Sequence, residues 1–149
     1  MSIRVAFFQY AAPGPPYGRG MGYDKVNIDA LEDQAPGFGI EGQESRFARQ
    51  AVGAERIGLA HYRLQPGRRI PFGHRHRSME EAYVVLAGSG RFRVDDKTFD
   101  VGVHDVVRVE PSSWRGWEAG PDGMELLAVG EHVDGDGESE LDMAWWPAG

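Results

Sequence analysis

Two histidines and a carboxylate stand close together in the segment GRRIPFGHRHRSMEEAYVVLAGSG, residues 67–90. His74 and His76 are two apart, so on a strand both rings leave the same face. Glu81 follows after a short connection and opens a second apolar stretch that can bring its carboxylate beside the imidazoles. Two imidazoles and one carboxylate are the donor set of the facial triad that holds non-haem Fe(II), and Mn, Ni or Zn also accept it. Arg75 and Arg77 alternate with the histidines and should face the other way, which keeps their charge off the metal side. The competing reading is a polar cluster satisfied internally, without metal.

These residues need short elements to present them, and the composition supplies the punctuation. Of 149 residues, 21 are Gly and 9 Pro, which sits badly with a helical bundle. Hydrophobic residues at 41% and aromatics at 11% are too many for a disordered coil. One β-rich domain follows from that length. From about residue 46, apolar stretches recur between turn signals, as in a sandwich or barrel. Strands are expected near 46–52, 57–64, 74–76, 81–87, 91–94, 97–101, 106–109, 114–118 and 124–130. Gly88-Ser89-Gly90 and Gly120-Pro121-Asp122-Gly123 are among the expected breaks.

The ends are less legible. Residues 3–9 suit a strand, the Pro/Gly run 11–22 reads as a loop or arm, and a helical turn is expected near 28–33. The acidic stretch 134–140 reads as a solvated loop, after which Leu141, Met143, Trp145 and Trp146 should dock. The organisation expected is an arm over 1–45, a barrel over 46–130 and a docked tail over 131–149.

The His74-Arg75-His76 to Glu81 to Gly88 spacing resembles the first motif of the cupin superfamily. Gly67 lies one residue too far forward for the family pattern, and Glu80 fits the step from His76 but not the step to Gly88. The stretch VGVHDVVRVEPSSWRGWEAG, residues 101–120, resembles the second motif in rhythm, with Asp105 and Pro111 in place. Arg115 stands where the family's fourth ligand, a histidine, is expected, and Ala119 where Asn is frequent. The resemblance covers roughly 55–130. It implies an all-β double-stranded β-helix (jelly-roll) barrel, metal ligands at His74, His76 and Glu81, and a homodimer.

Arginine stays protonated and cannot ligate a metal. Inside the barrel Arg115 could pair with Glu81 and replace the metal's charge, or hold an anionic ligand through its planar fork. Tyr83 and Trp117 are candidates for lining a pocket, and His61 for a replacement fourth nitrogen if it faces inward. Two functions are therefore expected to compete. One is a metal-dependent oxygenase, isomerase or lyase on a small organic molecule. The other is a metal-free binding or sensing module.

No organic cofactor is expected. The absence of cysteine excludes disulfides, thiolate sites and cysteine nucleophiles. A net charge of −7 disfavours nucleic acid, and no apolar run is long enough for a membrane span, so a cytoplasmic protein is expected. Strand 3–9 is the candidate for adding to a partner's sheet in the dimer.

Overall fold

The computed structural model describes residues 4–6, 22–134, 136 and 138–148. Nine strands dominate it: β1 (Arg4–Ala6), β2 (Gln43–Phe47), β3 (Ile57–Leu64), β4 (Gly73–Arg75), β5 (Glu81–Val94), β6 (Lys97–Gly102), β7 (Val106–Val109), β8 (Arg115–Glu131) and β9 (Glu138–Asp142). A short 3-10 turn, Ile28–Ala30, lies within the helical turn expected near 28–33, and a second, Ala35–Phe38, lies beyond it. All pairings are antiparallel, in the order β1-β9-β4-β8-β3-β2, with β5 joined to β6, β7 and β8. Strand β8 is the spine, pairing with β3, β4 and β5. The result is a curled, all-β double-stranded β-helix.

Two expected breaks are bends within continuous strands. β5 and β8 stay paired from Glu81↔Gly130 to Val94↔Arg115, with register shifts between Val85 and Ala87 and between Gly88 and Gly90. Such bulges bend a ladder without ending it, which lets one pair serve both walls of a barrel. Gly88 has a φ of 71°, and a Cβ there would lie 2.1 Å from the Gly123 carbonyl oxygen. The glycine is read correctly as a special backbone position, but its effect is curvature.

Strand alternation builds the core. Ala60, Tyr62 and Leu64 of β3, Met124, Leu126 and Ala128 of β8, and Tyr83 and Val85 of β5 all face inward. Trp117 sits among Tyr62, Tyr83 and Phe92, with ring centroids 5.0, 5.2 and 5.8 Å away. A second cluster of Leu31, Ala48 and Ala51, packed with Val26, Ile28 and Leu59, covers the outside of β3.

The C-terminal segment departs from expectation. Residues 138–142 form β9, which pairs with β1 on one side and β4 on the other. Asp136 is buried. Residues 138–140 of the expected solvated loop over 134–140 are therefore built into the sheet, because backbone pairing needs no apolar pattern when an open strand edge is available. Trp145 packs over the backbone of Gly73 and Gly116, and Trp146 Nε1 donates to the Ile70 carbonyl at 2.6 Å. Arg4–Ala6, the described part of the strand expected over 3–9, pairs with residues 138–140 of its own chain. The rest of that strand and residues 11–21 of the expected arm lie outside the described residues. No helix among the described residues is long and apolar enough to cross a membrane.

Candidate metal centre

Three pairs of residues two apart bring the polar cluster together. His74 lies in β4 and His76 just after it, Glu81 and Tyr83 begin β5, and Arg115 and Trp117 begin β8. His74 sits opposite Arg115 in the β4–β8 ladder, so both side chains leave the same face. Alternation then sends Tyr83 inward with Glu81, and Trp117 inward with Arg115. His76 is anchored beyond β4 by its backbone N–H, which donates to the Pro111 carbonyl at 2.9 Å.

The ligand atoms of His74, His76 and Glu81 all lie within 4.8 Å of one another, and all three residues are buried. Glu81 Oε2 is the hub. It lies 3.1 Å from His76 Nε2, 3.9 Å from His74 Nε2 and 3.4 Å from Arg115 Nη2. Tyr83 donates its hydroxyl to the same oxygen at 2.5 Å. The His74 ring meets those of His76 and Trp117 edge-on, at 5.5 and 5.7 Å.

Burial pushes the His74 pKa down to about 4, with Arg115 and His76 acting in the same direction against Glu81. The ring is neutral at pH 7 and keeps a lone pair. Burial alone would raise the Glu81 pKa, but His74, His76 and Arg115 outweigh it and hold the carboxyl well below its usual range. Burial and the Glu81 charge push the Tyr83 phenol well up, so it stays a donor. A neutral His74 ring and an ionised carboxylate are the protonation states a divalent cation requires. The three-residue donor set fits such an ion.

The fourth corner is different. Arg115 is 0% exposed; its Nη1 donates to the carbonyls of Ser113 at 2.8 Å and Pro111 at 3.2 Å. Among the described residues its Nε and Nη2 have no hydrogen-bond acceptor, although Nη2 faces Glu81. Two carbonyls thus lock the guanidinium with its remaining donors turned toward the cluster.

His61 is not part of this group. Ala60 and Tyr62 face inward, so His61 faces outward, where its Nε2 lies 2.5 Å from Glu125 Oε1. The parity of β3 rules out a fourth nitrogen from this residue. Arg75 also turns away, stacking on Trp114 at 4.8 Å and bonding Glu140. A cleft of about 560 Å³ is bordered by Ile40, Gln43, Arg63, Leu64 and Met124 and not by the triad. Gln43 links it to the cluster, its Oε1 accepting the Trp117 Nε1 proton at 3.1 Å.

Sequence reasoning missed Gln43 and Asp136. Asp136 accepts hydrogen bonds from the connection between His76 and Glu81, and its acidic, glycine-flanked surroundings gave no sign of burial. Gln43 lies three residues before the expected start of the barrel.

Fold and site together define a small β-barrel protein with a buried two-histidine, one-glutamate cluster. Residues 60–130 match the family model described as Cupin domain, so the chain carries a cupin domain there. A cupin protein from Bacteroides fragilis is similar at 19% identity, over 76% of this chain and 87% of that one, with a TM-score of 0.61. A sugar phosphate isomerase of the cupin superfamily from Silicibacter pomeroyi is similar at 18% identity, over 73% and 76%, with a TM-score of 0.62. The polyketide cyclase RemF from Streptomyces resistomycificus is similar at 19% identity, over 76% and 88%, with a TM-score of 0.59. At such identities the likeness shows the fold. No curated protein matches the sequence.

Proposed function

We propose that this cupin binds a small organic molecule in its barrel beside a divalent ion held by His74, His76 and Glu81. One observation carries the reading: three buried donors converge within 4.8 Å. An ion of Fe, Mn, Ni or Zn there would act as a Lewis acid on a carbonyl or as an oxygen-activating centre, which suits an isomerase, lyase or oxygenase. The chain's own residues supply the rest. Arg115 holds an anionic group of the ligand with its Nε and Nη2, and Tyr83 and Trp117 line the ligand on the core side. The likeness to a sugar phosphate isomerase and a polyketide cyclase supports a small organic substrate. Metal content measured on untagged wild-type protein and on His76→Ala tests the reading. Stoichiometric metal in the wild type and its loss in the variant are expected; near-zero metal in both overturns it.

A second reading rests on the Arg115–Glu81 contact at 3.4 Å. The guanidinium already balances the carboxylate, so the barrel could serve as a metal-free binding or sensing module. Thermal stabilisation by small carboxylates or phosphates in the presence of a chelator, lost in Arg115→Ala, would favour it. A homodimer is proposed as well, supported by the exposed, outward-facing apolar side chains Leu86 and Val106. Sizing the protein in solution tests it, and a monomer overturns it.

A further inference from the structure

The carboxylate of Asp136 is buried, with 3% of the residue exposed, although it lies past the last barrel strand. A turn in which its N–H donates to the Val133 carbonyl at 3.1 Å brings it back against the barrel. Its Oδ1 accepts from the Arg77 N–H at 2.8 Å. Its Oδ2 accepts from the N–H groups of Ser78 and Met79, at 2.6 and 2.7 Å, and from the Ser78 hydroxyl at 2.7 Å. Three of the four residues between His76 and Glu81 thus close their amides on one carboxylate. Met79, the last of the three, is fully buried in the core. The same C-terminal segment also grips the chain ahead of His76. β9 pairs with β4 through Gly73↔Asp142, His74↔Leu141 and Arg75↔Glu140.

A four-residue connection has little regular structure of its own, so its path depends on what its amides bond. That path sets how far the His76 ring stands from the Glu81 carboxylate. We infer that Asp136 is a positioning residue that fixes the His76–Glu81 geometry, with β9 holding the chain ahead of His76. Asp136 acts through the connection and touches neither ligand atoms nor substrate. Its role toward a metal rests on the reading above, while its role toward the connection does not.

Two variants test this. Asp136→Asn keeps the size but turns an amide NH2 toward N–H donors, and Ser78→Ala removes one of the four bonds. Co(II) is the probe, with affinity read by chelator competition and geometry by the ligand-field absorption of the bound ion. Amide hydrogen exchange of residues 77–79 is read without metal. Expected are a 10–100-fold weaker Co(II) affinity and an altered spectrum in Asp136→Asn, as for loss of other groups that orient ligands. Ser78→Ala should move both in the same direction by less. Amides 77–79 should lose protection in Asp136→Asn while those of β3 and β8 keep theirs.

A folded Asp136→Asn with wild-type affinity and spectrum overturns the inference. If that variant does not fold, Ser78→Ala decides by the same readings. If the wild type takes up no Co(II), the metal reading fails, and exchange at 77–79 alone decides. Unchanged protection there overturns the positioning role, and selective loss supports it.

Discussion

Glu81 and Asp136 are both buried carboxylates, 2% and 3% exposed, and both are held ionised by opposite means. Glu81 lies inside the barrel and is surrounded by side chains: two imidazoles, a phenol and a guanidinium. Asp136 lies outside it and is held by three backbone amides and one hydroxyl. Side-chain partners leave a record in the sequence as residue types at a spacing. Backbone partners leave none, since nearly every residue carries an N–H. On the function proposed above, Glu81 is shared with a ligand, whereas Asp136 already has its hydrogen bonds within the chain.

Acid should separate the two regions and have the largest effect, because it reaches both. His74 has a folded pKa of about 4, below its unfolded 6.5. Between these values the unfolded chain binds more protons, so stability is full above pH 6.5 and falls as pH drops toward 4. For Asp136, burial alone would raise the pKa, but the Ser78 hydroxyl and the amides of Arg77, Ser78 and Met79 outweigh it and depress the value below 3.8. Its contribution is lost only below that pH. Urea unfolding of metal-free protein from pH 7.5 to 3 should show a first decline due to the centre and a further one at the acid end. Asp136→Asn should remove part of the second and leave the first.

Arg115→Ala should come next. It leaves Glu81 buried without the guanidinium that faces it, and breaking such a pair costs about 3–5 kcal/mol. Added Zn(II) should restore more stability to this variant than it adds to the wild type, since the ion replaces the lost charge. Equal gains would mean that Arg115 and metal do not compete for Glu81. Asp136→Ala should cost about 1–3 kcal/mol, the range for leaving buried donors without an acceptor. The smallest effect is expected of His61→Gln. It loses one outward contact, worth about 1 kcal/mol, and metal content should not change. A drop in metal would place His61 at the centre after all.

The barrel and its interior cluster were largely legible. His74, His76 and Glu81 announce themselves by donor type and spacing, and period-two alternation then fixes which neighbours share their face. Arg115 was legible as a departure from a pattern, and its position opposite His74 follows from one antiparallel ladder pair. The bends of the long strands and the C-terminal segment were less legible for physical reasons. Gly88 and Gly120 mark backbone freedom, which serves a bend as well as a break, and the long β5–β8 pair uses it for bends. Strand β9 carries Glu138, Glu140 and Asp142 along a ladder fixed by backbone bonds, so its charge pattern argued for solvent. His61 required only the parity of β3, which Tyr62 already implied.

The central claim is that a divalent ion sits among His74, His76 and Glu81 with Arg115 at the remaining corner. A crystal of untagged protein, measured on both sides of the absorption edge of the metal it contains, tests it most directly. The account predicts one anomalous peak within bonding distance of both Nε2 atoms and a Glu81 oxygen, with the Arg115 guanidinium displaced from that oxygen. No peak, with Arg115 seated on Glu81, would contradict it.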